Sequence, residues 1–216
     1  MYVPPSFEAS DRAWCHALIE SQSFGTLVGV DDAGLPFATH LPFLLDADRG
    51  PLGTLLGHVA RANPQWRQFR TGADRAPGRP VLAIFHGPHA YVSPAWYEVS
   101  PSVPTWNYVV VHASGVPAVI EDAGRVRALL ARLVHVHEAE RPAPWSLDAL
   151  PEDYLAGMQT GIVAFEIPIA RLEGKAKLSQ NRSAGDRARV RAALLATGEP
   201  LDRAVAALMA DPTTEG

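Results

Sequence analysis

Short apolar segments separated by tight turns constrain the fold of this chain more than any other feature. Three of them follow one another near the N-terminus and are predicted to be strands, at Phe24–Val30, Leu35–Asp46 and Leu52–His58. Asp31-Asp32-Ala33-Gly34 joins the first two, and Gly34 supplies the positive φ that a hairpin turn needs. Consecutive strands with such short connections pair antiparallel, so the pattern argues against a doubly wound parallel sheet.

Two prolines restrict where the second of these strands can lie. Pro36 and Pro42 cannot donate a backbone hydrogen bond to a neighbouring strand. We therefore expect this strand to lie at a sheet edge or to contain a bulge.

Most of the helices are predicted in the second half of the chain. The clearest runs from Asp122 to His137, and the apolar residues on one of its faces are Val126, Leu129, Leu130, Leu133 and Val136 or His137. The other predicted elements are strands at Val81–Phe85, Val109–Glu121 and Ile162–Leu172, and helices at Asp11–Ser21, Ala60–Phe69, Pro151–Thr160, Asp186–Leu195 and Leu201–Met209. The predicted fold class is α+β and mainly β, an antiparallel barrel of short strands with peripheral helices and a C-terminal helical segment.

Composition is that of an ordinary folded protein in a reducing compartment. Hydrophobic residues make up 47% and charged residues 19% of the 216 residues. No apolar run reaches the roughly 18 residues of a membrane-spanning helix, and the N-terminus lacks the features of a secretion signal. The single cysteine, Cys15, cannot form an intrachain disulfide. We therefore expect a cytoplasmic protein with no membrane segment.

Charge is unevenly distributed along the chain. The formal net charge of −4 lacks the basic field that nonspecific DNA binding requires. Between Arg171 and Arg203, however, eight basic residues accompany only four acidic ones. This basic region suits a phosphate-bearing small ligand at least as well as a nucleic acid.

The segment Lys175–Arg182 combines three cationic side chains with Ser179, Gln180 and Asn181, directly after a predicted strand. Such a set can hold a phosphate or the polar edge of a planar ring. The alternative is an ordinary solvated loop, because charged runs commonly face solvent. The sequence leaves both interpretations open.

A second cluster of basic and amide groups lies between Gly57 and Trp66. His58, Arg61 and Asn63 occur where a helix N-terminus would present free backbone N–H groups, and this arrangement can form a phosphate seat. The alternative is an ordinary helix start with Arg61 in solvent.

An amide between two aromatic residues marks a third candidate segment, Val103–Tyr108. Trp106 and Tyr108 are residue types that commonly lie in a core. Asn107 is harder to explain as a core residue, because a buried amide needs hydrogen-bond partners.

The sequence provides little support for metal or nucleophilic chemistry. His135 and His137 are two apart on a predicted helix and cannot share a face, and His86 and His89 have no acidic neighbour in the sequence. The common hydrolase, P-loop and dinucleotide motifs are absent. We assign no metal ligand and no catalytic residue.

Taken together, these motifs resemble those of the PaiB-type FMN-binding negative transcriptional regulators, which have the split-barrel fold of the pyridoxamine-phosphate oxidase superfamily. The resemblance covers most of the chain. It rests on the segments Met1–Pro4, Ala38–Pro42, Gly53–Leu55, Gly57–Trp66, Gly87–Tyr97, Val103–Tyr108 and Leu172–Arg182.

The resemblance implies a six-stranded antiparallel split β-barrel, a homodimer, and FMN in a crevice between the subunits. We accordingly expect a split-barrel domain with inserted helices at residues 1–182 and a C-terminal helical extension at 183–216. The residues expected to bind FMN are Thr39, His40, His58, Arg61, Asn63, Trp106, Asn107, Lys177, Ser179, Gln180, Asn181 and Arg182.

Three functions are compatible with these expectations. The first is an FMN-dependent regulator that represses sporulation, stress or protease-type genes through a dimer contacting DNA or another protein. The second is an FMN-dependent oxidoreductase or flavin reductase on the same barrel. The third is a binding module without a cofactor. The first is preferred, because His40 and His58 are the only acid–base groups evident in the expected pocket.

The C-terminal helices do not strengthen a DNA-binding interpretation. Asp186–Leu195 and Leu201–Met209 have a connection of the length found in helix-turn-helix proteins, but the second helix offers only Asp202 and Arg203 for contact with bases. A helical hairpin packed on the barrel is the preferred interpretation.

Overall fold

The structure is a computed structural model that describes residues 1–31, 33–69 and 78–210. The described strands are β1 (Glu8–Ala9), β2 (Phe24–Val30), β3 (Pro36–Pro42), β4 (Leu44–Asp46), β5 (Thr54–Ala60), β6 (Val81–Val92), β7 (Thr105–Gly115), β8 (Ala118–Val119), β9 (Ile162–Pro168) and β10 (Arg171–Lys177). The described α-helices are α1 (Arg12–Ser21), α2 (Ala123–Glu138), α3 (Glu152–Thr160), α4 (Ala184–Thr197) and α5 (Pro200–Leu208). Short 3₁₀ helices occur at Pro5–Phe7, Pro64–Gln68, Pro94–Trp96 and Leu147–Ala149.

The strands form two sheets. One has the order β1-β10-β7-β6-β2-β3 and the other the order β4-β5-β9-β8. The pairings β2–β3, β2–β6, β4–β5 and β5–β9 are all antiparallel. None of the helices in the described part of the chain combines the length and the apolar composition that a membrane span requires.

Contacts divide the chain into two compact units. The terminal unit comprises Met1–Gln22, Phe85–His112 and Glu173–Gly216, and the central unit comprises Ser23–Ile84 and Ala113–Leu172. The long strands β6 and β7 run through both. Because each unit is assembled from separate segments, the division at residue 182 expected from the sequence stays a prediction.

The core of the central unit contains the clearest helix of the sequence. Asp122 caps α2 by accepting a hydrogen bond from the backbone N–H of Arg125. The apolar face of the helix packs on β4, β5 and β9 through Leu44, Leu56, Ile120, Val126, Leu129, Leu133 and Ala164. Val136 is exposed, so the apolar contact ends one turn earlier than the periodicity predicted.

The terminal unit contains the C-terminal helical segment that the sequence predicted. Helices α4 and α5 contact each other and bury Val190, Leu194, Val205 and Ala206. Gly198, with φ of 80°, ends α4 in the left-handed conformation. A helical hairpin is therefore present, although each helix begins earlier than expected.

Cys15 in α1 is a buried free thiol. Its thiol donates to the carbonyl oxygen of Ala9 at 3.5 Å. Burial, followed by the charge of Asp11, raises the pKa of this thiol to about 11. The thiol therefore stays protonated at neutral pH.

The second predicted strand, Leu35–Asp46, is in fact two strands. It breaks at the buried Phe43, so that β3 belongs to the six-stranded sheet and β4 to the four-stranded sheet. The prolines restrict it as expected, since β3 lies at the edge of its sheet. The turn before it also has the expected Gly34, with φ of 82°, although Asp32 in that turn lies outside the described residues.

The helix predicted at Ala60–Phe69 is wrong. Strand β5 continues to Ala60, and only the 3₁₀ helix Pro64–Gln68 follows. Pro64 opens this short helix and the Asn63 side chain caps it, accepting from the backbone N–H of Gln65. The apolar residues that suggested a longer helix belong to the end of the strand and to this single turn.

Two later strand predictions differ from the structure in their bounds. Val81–Phe85 extends to Val92 through Gly87, whose Cβ would lie 2.4 Å from a methyl carbon of Val109, so only glycine permits this close packing. The predicted Ile162–Leu172 is divided between β9 and β10, and Lys175 and Lys177 lie in β10 rather than in a loop after a strand.

Candidate functional site

The twelve residues expected to bind FMN fall into two groups, one in each unit. The central unit contains Thr39, His40, His58, Arg61 and Asn63, and the terminal unit contains Trp106, Asn107, Lys177, Ser179, Gln180, Asn181 and Arg182.

Asn63 connects the turn after β5 to the β2–β3 hairpin. Its Oδ1 accepts from the Gln65 backbone N–H at 3.0 Å, and its Nδ2 donates to Thr39 Oγ1 at 2.9 Å. Gln65 Nε2 extends the connection to the Leu27 carbonyl oxygen at 3.2 Å. These bonds fix the position of the backbone between Arg61 and Gln65.

Gln65 is a polar residue of this region that the sequence analysis missed. Its side chain is 2% exposed, and its Oε1 has no hydrogen-bond partner among the described residues. A buried acceptor without a donor is unfavourable by about 1–3 kcal/mol. The sequence signal for Gln65 was its position two residues after Asn63, the residue that caps this turn.

Thr39 and His40 lie on opposite faces of β3, because successive side chains in a strand alternate. The Nδ1 of His40 lies 3.0 Å from the hydroxyl oxygen of Thr26, which is its partner across the β2–β3 ladder. His40 is exposed. The structure therefore brings Thr39 together with Asn63, and His40 together with Thr26, another residue that the sequence analysis missed.

Arg61 is anchored by backbone carbonyls from a distant part of the central unit. Its Nε donates to the Thr160 oxygen at 2.7 Å and its Nη2 to the Ile162 oxygen at 2.9 Å. Its own carbonyl oxygen accepts from Trp66 Nε1 at 2.9 Å, and its guanidinium carbon lies 5.9 Å from the centre of the Trp66 ring. A guanidinium has five N–H donors, so three remain for a ligand.

Arg61 and Trp66 border a cavity of about 520 Å³ in the central unit. Its other walls come from the segment before α2, the start of α2, the end of α3 and strand β9, and include Ile120, Glu121, Val126, Gln159 and Ala164. The cavity is mainly apolar, with the Arg61 cation and the exposed Glu121 carboxylate as its charged groups. Within the described residues Arg61 has no ion-pair partner.

His58 lies on a different surface from Thr39 and Asn63. It pairs with Ala164 across the β5–β9 ladder and shares its strand face with Leu56, and both of these residues pack in the core beneath α2. Its Nδ1 is buried and has no hydrogen-bond partner among the described residues. Burial lowers the pKa of the imidazole below its usual 6.5, so the ring is neutral near pH 7.

Two partly buried histidines make the unfolding free energy of this protein sensitive to mild acid. Between the lowered folded-state pKa of His58 and the unfolded value near 6.5, the unfolded chain binds more protons, so unfolding becomes easier as pH falls through this window. His112 acts in the same direction, because burial and then the N-terminal charge lower its pKa. We expect His58→Gln to reduce the loss of melting temperature between pH 7.5 and pH 5.5 measured by circular dichroism. His137→Gln, at an exposed position, should leave that loss unchanged; an unchanged loss in His58→Gln would contradict the prediction.

Asn107 and Ser179 form a closed pair inside the terminal unit. Asn107 Nδ2 donates to Ser179 Oγ at 3.0 Å, Ser179 Oγ lies 3.2 Å from Asn107 Oδ1, and Nδ2 also lies 3.7 Å from Met209 Sδ. The two residues are 0% and 4% exposed. The pair supplies the hydrogen-bond partners that the buried Asn107 amide needs. It also holds Ser179 at its unusual φ of 67°.

Gln180 and Asn181, which follow this pair, differ in their surroundings. The Gln180 side chain folds back on its own segment, accepting from the Leu178 N–H at 2.7 Å and donating to the Ala176 oxygen at 2.6 Å. Asn181 is exposed.

Lys175, Lys177 and Arg182 form a cationic cluster among aromatic rings. Lys175 donates to the Tyr2 oxygen at 3.1 Å, Lys177 donates to Thr105 Oγ1 and to the Trp106 oxygen, and the Arg182 guanidinium carbon lies 4.1 Å from the Tyr97 ring centre. Burial, then Lys175 and Arg182, lower the pKa of Lys177. In the described part of the chain, none of the three cations forms a salt bridge.

Trp106 does not join this cluster through its side chain. The indole is 53% exposed, and its ring centre lies 5.8 Å from that of Tyr91 and 6.3 Å from that of His89. The indole therefore borders a separate surface cavity of the terminal unit.

The sequence matches the family described as "Putative FMN-binding domain" over residues 1–171. The chain belongs to this FMN-binding family. It is also 35% identical to "Protease synthase and sporulation protein PAI 2" of Bacillus subtilis (strain 168) over 211 residues, which cover 98% of this chain and 97% of that protein. The resemblance to PaiB-type proteins and FMN as the cofactor are thereby confirmed.

Solved structures support the fold at much lower sequence identity. A FAD and heme binding protein from Mycobacterium smegmatis aligns with a TM-score of 0.60 and 20% identity, covering 89% of this chain and 80% of that one. A protein from Bacteroides thetaiotaomicron described as a "putative 5-nitroimidazole antibiotic resistance protein" aligns with a TM-score of 0.55 and 16% identity, covering 78% of this chain and 85% of that one. These likenesses and the antiparallel sheets confirm the predicted α+β split-barrel class.

The residues of the central unit fit the chemistry of FMN. Arg61 retains donors suited to a phosphate, and the orphaned His58 Nδ1 and Gln65 Oε1 are the kind of buried polar atoms that a bound group would satisfy. When bound, FMN would supply one- or two-electron redox chemistry. The protein residues would hold, orient and desolvate it.

Proposed function

We propose that the protein is an FMN-binding regulator that works as a homodimer, with FMN occupancy or redox state controlling its contact with DNA or another protein. The single observation that carries the FMN part is Arg61, a cation anchored by two carbonyls, stacked near Trp66, and left with free donors at a cavity. An FMN phosphate carries nearly two negative charges and needs such a partner.

Within this proposal the five residues of the central unit have different roles. Arg61 binds the phosphate, while Asn63 and Thr39 position the backbone around it through their hydrogen bond. His40 and His58 offer ring nitrogens as hydrogen-bonding groups for the ligand. In the terminal unit, Asn107 and Ser179 would act by positioning, since both are buried and paired.

An exposed apolar sheet face supports the homodimer. Along β2, Phe24 and Val30 are 70% and 42% exposed and alternate with buried glycine and leucine. Their face continues onto neighbouring strands, where Val28 pairs with Ala38 and Leu82. An uncovered apolar sheet face of this kind is a typical association surface. His40 lies on the same face opposite Thr26, so a second copy docked there would reach a residue of the expected FMN set.

Dimerisation is testable by breaking this face. We expect the wild-type protein to show about twice its 23.2 kDa mass in light scattering at micromolar concentration, and the Phe24→Glu/Val30→Glu variant to show the monomer mass, because two buried charges would oppose association. Tyr154→Glu, at an aromatic residue on α3 that is 54% exposed, is the control and should remain dimeric. A monomeric wild type would contradict the proposal.

The cationic cluster would complete the flavin environment, from its own subunit or from the partner. We expect Lys177→Gln combined with Arg182→Gln to fold, because partly exposed charges contribute little stability. The variant should bind FMN more weakly or lower the flavin reduction potential, since positive charge stabilises a reduced, anionic flavin. Arg203→Gln, also in the terminal unit, serves as the control. Unchanged affinity and potential would assign the cluster to another partner, with DNA tested first through the salt dependence of binding.

The regulatory part of the proposal is supported by the name of the Bacillus subtilis relative, a "Protease synthase and sporulation protein". A direct test is selection from a random DNA duplex library with FMN-loaded and FMN-free protein, read by sequencing the bound fraction. Enrichment of one sequence by only one of the two forms would support a flavin-controlled DNA regulator. The absence of enrichment, together with steady oxidation of NADH or NADPH by the FMN-loaded protein, would instead favour the oxidoreductase.

A further inference from the structure

A cavity of about 480 Å³ in the terminal unit differs in chemistry from the cavity beside Arg61. The rings of His89, Tyr91 and Trp106 line one side. Glu199, Leu201 and Asp202 line the other, where α5 begins. All six residues belong to the same compact unit.

The aromatic residues on the first side of the cavity are not part of the hydrophobic core. Tyr91 and Trp106 are 46% and 53% exposed, and their rings meet edge to face at 5.8 Å. Exposing two such large rings is unfavourable, because the free-energy cost increases with the apolar area in contact with water. A ligand that covers the rings would remove that cost.

The acidic side supplies two carboxylates without ion-pair partners in the described chain. Glu199 precedes α5 without capping it through its side chain, and no salt bridge joins Glu199 or Asp202 to Arg203. Negative charge at a helix N-terminus stabilises the helix, which explains one acidic residue there. It does not explain why both border a cavity walled by aromatic rings.

From this combination we propose that the cavity binds an organic cation, an alkylammonium or quaternary ammonium group, between the Trp106 and Tyr91 rings and the two carboxylates. Ring faces attract cations through their quadrupole, and carboxylates add direct Coulomb attraction. The same carboxylates repel phosphates and other anions, which makes this cavity unsuitable for the FMN phosphate. A neutral aromatic ligand would gain nothing from the charges. Trp106 thereby contacts a different ligand from the flavin, and this site is independent of the proposed regulatory function.

Choline and its uncharged isostere 3,3-dimethyl-1-butanol provide a direct test, because the two differ in charge and hardly in shape. Binding to FMN-saturated protein is followed by isothermal titration at constant ionic strength and by tryptophan fluorescence. We expect choline to bind about tenfold or more tightly than the isostere, as cation–aromatic and charge attraction of roughly 1.4 kcal/mol implies. Trp106→Phe should abolish the fluorescence response.

Charge removal separates this site from a general electrostatic effect. Glu199→Gln/Asp202→Asn should bring the affinities for choline and the isostere to within about twofold of each other. The control Glu140→Gln/Asp153→Asn removes the same charge from exposed positions of the central unit and should keep the preference. Equal binding of the two ligands by the wild type, a preference that survives in the Glu199/Asp202 variant, or no choline binding at all would each overturn the proposal. Circular dichroism verifies that the variants fold.

Discussion

Arg61→Ala is expected to weaken FMN binding by about tenfold or more. Each charge-assisted hydrogen bond contributes roughly 1.5–3 kcal/mol, so losing even one from the phosphate produces an effect of that size. The anchoring of Arg61 by the Thr160 and Ile162 carbonyls increases the expected loss, because a guanidinium already held in place does not have to be ordered on binding. The measurement is a fluorescence titration with FMN.

Two further variants make this result specific. Arg67→Ala removes an exposed arginine from the adjacent 3₁₀ helix and should leave FMN affinity unchanged. Arg61→Lys keeps the charge but loses the planar fork, and should fall between wild type and alanine. The melting temperature of FMN-free Arg61→Ala should change little, because the carbonyls it releases can bind water. If Arg61→Ala binds FMN like the wild type, Arg61 is not part of the site.

Gly115→Ala is expected to destabilise the protein by about 3 kcal/mol, which corresponds to a melting temperature lower by roughly 6–12 °C. A Cβ at this position would lie 2.2 Å from the Pro168 carbonyl oxygen and 2.8 Å from a methyl carbon of Ile167. Backbone cannot move aside as a flexible side chain can, so β7 and β9 would have to separate locally. Thermal unfolding by circular dichroism measures the effect.

Replacing a glycine by alanine in a helix should instead increase the stability of the protein. Gly157 lies in α3, where an added Cβ meets no atom within 4 Å. Gly157→Ala should therefore stabilise the protein by about 0.5–1 kcal/mol through helix propensity. If Gly115→Ala melts with the wild type, the close approach of the two strands is not as described here.

Local patterns predicted much of the secondary structure. Helix α2 could be predicted because Val126, Leu129 and Leu133 repeat at helical spacing after a capping Asp122, and the first hairpin because Gly34 marks its turn. The incorrect predictions occur where similar apolar runs belong to different secondary-structure elements. Ala60–Phe69 contains the end of a strand, a cap and one 3₁₀ turn, and periodicity alone does not distinguish these from a helix.

The candidate site could be predicted only as a set of residue types. Spacing identified Asn63 and Arg61, but not that Asn63 bonds to Thr39 or that Gln65 is buried beside Leu27. The sequence of the Lys175–Arg182 segment is compatible with one ligand-binding surface or with a solvated loop. In the structure Ser179 is buried against Asn107, Gln180 folds back on its own backbone, and Lys177 and Arg182 contact aromatic segments from elsewhere in the terminal unit.

By itself the sequence determined the strands, helices and turns whose signals are local, and its ordered motifs determined the family and hence FMN. Tertiary structure alone decided that the segment from Pro36 to Asp46 changes sheets at Phe43. It also decided that Arg61 is held by carbonyls about a hundred residues away along the chain. The physical reason is that hydrophobic periodicity and capping act between near neighbours, whereas a hydrogen bond across the fold depends on which distant segments burial brings together.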